Sequence, residues 1–167
     1  MEGNGYLKMK NYFEDLVDQS NFLNGFAGFF ARELFNKLGS RKEPLKAPYL
    51  ALFKYTLGLD GNEQSTQAIR KLGFSIIIHD IKPDDFEAEY AAVDLGETLA
   101  LKVIARMIYD SKTPKHFLWN SVLKESIQIV PIDIEKIGFG VEVSFNVKNN
   151  QSMKIDLLDW KDVDSVC

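Results

Sequence analysis

The stretch from Asp84 to about Tyr109 constrains the fold most, because it reads as one uninterrupted helix. Lys82-Pro83-Asp84-Asp85 opens it. Proline suits a first helical turn, where its missing N–H is no loss. The carboxylates of Asp84, Asp85, Glu87 and Glu89 oppose the positive N-terminal end of the helix dipole. On a helical projection, Phe86, Tyr90, Val93, Ala100, Leu101, Ile104, Met107 and Ile108 fall in one broad stripe, which is expected to pack on a sheet. Lys102, Arg106 and Asp110 project roughly opposite, as a solvated face does.

Leu95 and Leu99 also project opposite the stripe, four residues apart. A lone exposed leucine needs no explanation, but an i, i+4 pair asks for a cover. Either the N-terminal helices supply it, or the pair belongs to a subunit interface. Glu97 falls inside the apolar stripe, where it sits at the edge of the buried zone or pairs with a cation. With no identifiable partner it does not make a catalytic carboxylate.

The remaining apolar patterning has period two. Pro48 introduces Tyr49 to Leu57, apolar on both faces and rich in aromatics, as a central strand is. Gly58-Leu59-Asp60-Gly61-Asn62 is turn chemistry. The return strand begins polar, near Gln64, and ends with Phe74, Ile76 and Ile78 on one face. After the long helix, Ser111 to Lys115 turn around Pro114, and Phe117, Leu118 and Trp119 cover a core edge. A strand is expected over Ser126–Pro131 and another where Val141, Val143, Phe145 and Val147 alternate with Glu142, Ser144 and Asn146. A short strand with Met153, Ile155 and Leu157 is expected to return beside it, and the acidic tail from Trp160 to Cys167 to fray.

Upstream, residues 10–38 read as two helices. The first carries Tyr12, Phe13, Leu16 and Val17, and the second runs through Phe29, Phe30, Leu34, Phe35 and Leu38 to Gly39. Between them lies Phe22 to Phe30, with glycines at 25 and 28. It is read as an aromatic plug docked on the sheet, with the glycines allowing close approach, or as a partner-contact segment using Phe22 and Phe26; against a membrane-inserting segment stands the absence of a flanking basic face.

The expected fold is therefore a single α+β domain over residues 1–167. It has a mixed or antiparallel sheet of four to five strands and one long helix across one face, together spanning 48–149, with the N-terminal helices at 10–38. At 167 residues such a chain buries enough surface to fold without metals or disulfides.

Composition narrows the function. The net charge is −4 and the pI about 5.2, with no basic run of the kind duplex binding needs. The richest basic cluster, Lys37, Arg41, Lys42 and Lys46, is broken by Glu43 and Pro44; it is a solvated loop or the match to an acidic partner surface. No apolar run reaches the ~20 residues that cross a bilayer, and the first ten residues do not read as a signal peptide. The single cysteine, Cys167, suits a reducing compartment. The expected location is cytoplasmic, with neither nucleic acid nor membrane as partner.

No catalytic residue, cofactor site or metal site is assigned. The two histidines, His79 and His116, lack zinc-ligand spacing. Gly25 to Gly28 is no phosphate loop, and Gly138-Phe139-Gly140 lacks the third glycine and following helix of a dinucleotide site; it marks a bend entering a strand. Asp80, Asp84 and Asp85 are read as helix-start carboxylates rather than cation ligands.

In their order, Pro48 to Leu57, Gln64 to His79, Asp84 to Asp110, and Val130-Pro131-Ile132 with Gly140 to Val147 resemble the tail-terminator and neck proteins of tailed bacteriophages. They are also similar to chains encoded in the phage-like elements of Bacteroidetes genomes. The likeness is one of layout over about 100 residues, without an invariant motif. It implies a non-enzymatic structural subunit, a homo-oligomer often closed as a ring, with tail or neck proteins as partners and no cofactor; such a protein is a virion component. The competing readings are an intracellular ligand- or protein-binding module and an enzyme with scattered acid–base residues. The interface residues read from the sequence are Leu95, Leu99, Phe22 and Phe26.

Overall fold

Two long hairpins and one rod organise the chain. The computed structural model describes residues 5–42, 44–62, 65–79, 81–82, 84–134, 137–155 and 159. The elements run α1 (Tyr6–Gln19), β1 (Gly25–Ala27), α2 (Ala31–Leu38), β2 (Tyr49–Asn62), β3 (Ser65–Ile78), α3 (Phe86–Ser111), β4 (Val122–Ile134) and β5 (Gly138–Asn150). The five strands form one mixed sheet in the order β1-β2-β3-β5-β4. β1 and β2 are parallel; every other pairing is antiparallel. This is the α+β class the sequence implies, with α3 as a single helix.

The sheet's helix-bearing side follows from strand alternation. Leu50 and Leu52 of β2, Leu72, Phe74 and Ile76 of β3, and Val141, Val143, Phe145 and Val147 of β5 join one core cluster. α1 contributes Met9, Phe13, Leu16 and Val17 to it, and α3 contributes Leu99, Ala100, Val103, Ile104 and Met107. At its centre the Phe13, Phe74 and Phe145 rings lie 5.5–6.2 Å apart, in the tilted and edge-on arrangements that aromatic quadrupoles favour.

A smaller cluster occupies the reverse side. Ala27, Tyr49, Ala51 and Ile77 carry the opposite strand parity and meet Leu45, with Leu34 and Leu38 of α2 against them. α2 thus caps the reverse side at the β1 edge, while α1 and α3 share the other. The β1–α2–β2 unit is a crossover, which a parallel pair requires.

Several elements depart from the sequence reading. Phe22, Phe26 and Phe29 pack on the core as the docked segment should, but residues 25–27 also add a strand to the sheet edge. Gly25 sits so close to Leu45 that a Cβ there would lie 2.5 Å from Leu45 Cδ1. The β2–β3 hairpin is longer than the Asp60-Gly61 signal suggests. Its ladder runs on to Asn62 opposite Ser65, with Gly61 at φ +96° and the Asn62 side chain accepting from Ser65 N–H at 2.9 Å. β4 and β5 each extend beyond the apolar runs that announce them. Residues 151–155 form no strand; Met153 and Ile155 are exposed. The expectations for Gln64, Asp80, Leu157 and the tail Trp160–Cys167 lie outside the described residues.

Phe53 marks a bulge, where the β2–β3 register shifts between Leu52 and Lys54. Its ring lies over Gly73, where an added Cβ would fall 2.3 Å from Phe53 Cζ. The ring covers the backbone that glycine leaves bare.

Candidate functional site

The face of α3 that meets the sheet is only partly the one that bulk hydrophobicity marks: Ala100, Ile104 and Met107 of the expected stripe are buried, and Val93 and Ile108 pack against the core. The buried residues are Ala92, Gly96, Leu99, Ala100, Val103, Ile104, Met107, Asp110 and Ser111. Small residues bring the rod close: a Cβ on Gly96 would stand 3.1 Å from Gly140 Cα and 3.3 Å from Val141 N. Phe86, Tyr90 and Leu101, placed in the sheet-facing stripe by their size, are instead exposed, by 63 %, 72 % and 51 %. Leu99 is 4 % exposed, so the outward leucine pair does not form; Leu95 alone faces outward. Glu97 is exposed.

Phe86, Tyr90, Asp94, Glu97 and Leu101 recur at spacings of four, four, three and four, so they form one ridge along α3. All five are exposed. The ridge lies on the flank away from α1. The other flank meets the α1 side through Lys102 over the Phe22 ring at 5.2 Å and through Asp110. Asp133 of β4 carries the strand parity of the helix-bearing side and is exposed. Asp85 caps the helix by accepting from Ala88 N–H at 3.2 Å.

Of the other interface residues read from the sequence, Phe22 is half-buried beneath Lys102 and Phe26 is buried. The ammonium groups of Lys10 and Lys37 lie 5.7 and 5.6 Å from the centre of the Phe26 ring, and Lys37 also donates to the Phe26 carbonyl at 2.8 Å. Phe26 is therefore an internal anchor for α1 and α2. The exposed aromatics of this region are Phe30 and Phe35, 65 % and 58 % open, at the α2 corner with Arg32, Arg41 and Lys42.

Asp110 is the buried carboxylate of α3, although its place on the projection is solvent. It accepts from Tyr12 O–H at 2.8 Å and from Arg106 Nε at 2.9 and 3.0 Å, tying α1 to α3. Arg106 is half exposed, so its ion pair is screened and contributes little; the Tyr12 bond carries most of the coupling. Asp110→Ala is expected to cost about 2 kcal/mol, the range for a hydrogen bond to a charged group, read as a lower urea midpoint. Tyr12→Phe should account for more than half of that loss, and equal stability of both variants with the parent would show the tie to be idle.

Burial, reinforced by Asp110, pushes the Tyr12 phenol well above its ordinary range, and burial alone pushes Tyr49 up to about 12. Both phenols therefore keep their protons longer in the folded chain than in the unfolded one. Their contribution is complete below the ordinary tyrosine value of 10.0 and falls as pH rises above it. Urea midpoints should drop as pH is raised beyond 10, and the double variant Tyr12→Phe/Tyr49→Phe should drop less.

A cleft of about 540 Å³ opens between Pro44–Pro48, Ile78, His79 and Leu95. His79 Nε2 lies 3.1 Å from the Leu45 carbonyl, and its ring is 5.9 Å from that of Tyr49. Among the described residues, the Tyr49 hydroxyl is the buried side-chain polar atom without a hydrogen-bond partner. Arg70 is buried too, donating to Tyr55 Oη at 3.2 Å and to Asn149 Oδ1. No group of three or more His, Cys, Asp or Glu among the described residues is placed to hold a metal ion. No described helix is long and apolar enough to cross a membrane.

No family model matches the chain, and neither a curated protein nor a solved structure does so. Function must therefore be argued from the surfaces above. The ridge was within reach of the sequence: its acidic residues stand in a segment free of lysine and arginine. Asp110 was not, because nothing local announces a partner 98 residues away.

Proposed function

We propose that the chain is a non-enzymatic assembly subunit that works by joining copies of itself. The ridge on α3 carries this reading: two aromatic side chains and a leucine lie open on a flank that no other described element covers. Residues of this type on a helix flank favour contact with a protein surface over solvent. The reading agrees with the layout likeness to phage tail-terminator and neck proteins. On that likeness the assembly is a ring, tail or neck proteins are further partners, and the protein is a virion component or stays in the cytoplasm. The negative net charge supports protein rather than nucleic acid as partner.

Light scattering over a concentration series tests it. The wild type should exceed the 19.0 kDa of one chain, and Phe86→Lys/Tyr90→Lys should return toward that mass while keeping its circular dichroism. A wild type that stays monomeric throughout contradicts the reading.

The His79 cleft supports a second reading, an intracellular binding module for a small, largely apolar ligand. Its lining is mostly Pro, Leu, Ile and Ala, with Lys46 at hand for a polar end. A ligand-dependent rise in melting temperature that is lost in Leu95→Asp would favour it.

A further inference from the structure

We infer that the acidic flank of α3 in one copy receives the cationic α2 corner of a second copy, so that copies join head to tail. The inference rests on the assembly reading and names its two surfaces. Residues 83–101 hold six carboxylates and no lysine or arginine, a local charge of −6. Residues 30–46 hold five basic and two acidic residues, a local charge of +3. With −4 for the whole chain, the remainder is nearly neutral. The two segments thus carry opposite charge.

Helix physics explains only part of the acidic patch. Asp85, Glu87 and Glu89 oppose the dipole in the first turn. That effect does not reach Asp94 and Glu97, which lie further along. Neither has a lysine or arginine three or four residues away on α3; they have each other at i, i+3, which is repulsive. A solvated helix face normally interleaves both signs. An external cation would relieve the repulsion.

The α2 corner supplies that chemistry. Glu33 is already engaged by Lys37 at 2.8 Å, leaving Arg32, Arg41 and Lys42 exposed beside Phe30 and Phe35. The partner aromatics Phe86 and Tyr90 offer ring faces to guanidinium groups, as Phe22 and Phe26 already do to lysines within the chain. Each patch repels its own copy, so a two-fold contact of α3 on α3 or α2 on α2 is disfavoured. A contact between unlike patches is heterologous, and the joined pair keeps one free surface of each kind.

Two charge-reversed variants test this: Asp94→Lys/Glu97→Lys and Arg32→Glu/Arg41→Glu. All four positions are exposed, so both variants should fold. Sedimentation should show self-association weakened by roughly a hundredfold in each, since positions 94 and 97 of the ridge then carry +2 against the corner's +3, and the reversed corner, at −1, meets the ridge's −2. An equimolar mixture should regain it, because the reversed ridge of one variant matches the reversed corner of the other. Added salt should weaken the wild-type association. Variants that associate as the wild type does, or that fail to recover on mixing, overturn the pairing and leave the assembly reading standing. A wild type monomeric at every concentration removes both.

Discussion

Phe74→Ala is expected to lower the unfolding free energy by about 4 kcal/mol, near the middle of the range for emptying a buried aromatic site. Phe74 is fully buried on the middle strand of the sheet. Its ring faces Phe13 of α1 at 5.5 Å and Phe145 of β5 at 6.2 Å. Removing it takes away the ring contact between α1 and β3 and the one between β3 and β5. Neighbours on two different elements, α1 and β5, cannot both move inward freely, so the cavity stays largely open and the cost sits above simple transfer. For a domain of ordinary stability, about 5–15 kcal/mol, the loss is a large fraction of the whole. Urea unfolding followed by circular dichroism measures it, and Phe74→Leu should lose less than half as much. A loss below about 1 kcal/mol would mean that this cluster is not the centre of the core.

Gly96→Leu is expected to cost about 3 kcal/mol, the upper end for an overpacked core. At Gly96 the backbone of α3 lies close against that of β5. A Cβ there would already be 3.1 Å from Gly140 Cα, and both contact atoms are main chain, which cannot rotate aside. A leucine must lift the helix from the sheet. Gly96→Ala is the informative companion. Alanine gains about 1 kcal/mol of helix propensity over glycine, while its methyl demands a shift of only a few tenths of an ångström. The two effects nearly cancel, so alanine should be close to neutral and leucine severe. If leucine is tolerated as well as alanine, α3 does not seat on β5 at this point.

That contrast also explains how much of the molecule the sequence discloses. The rod, the hairpins and the β5 alternation follow from period and turn chemistry, which act locally. The seating of α3 does not, because its contact line uses Ala92, Gly96 and Ala100. Small side chains let backbones approach but leave almost no hydrophobic signal, so a projection weighted by bulk turns toward Phe86, Tyr90 and Leu101. The same error placed Leu99 outside and Asp110 in solvent. β1 is three residues long, and its pairing depends on β2, 24 positions away in register, so no local pattern reveals it. Of the interface residues read from the sequence, Phe26 and Leu99 are buried, Phe22 is half-buried and Leu95 is exposed. The charge segregation was legible throughout; what it lacked was the knowledge that Asp94 and Glu97 share a ridge with exposed aromatics.

Backbone amide NMR on a dilution series tests the central claim most directly, since it follows both patches at once in the native sequence. Association of unlike surfaces predicts concentration-dependent shifts over residues 86–101 and over 30–42 together, with one common midpoint. Shifts confined to one of these segments, centred elsewhere, or absent up to the highest concentration reached would contradict it.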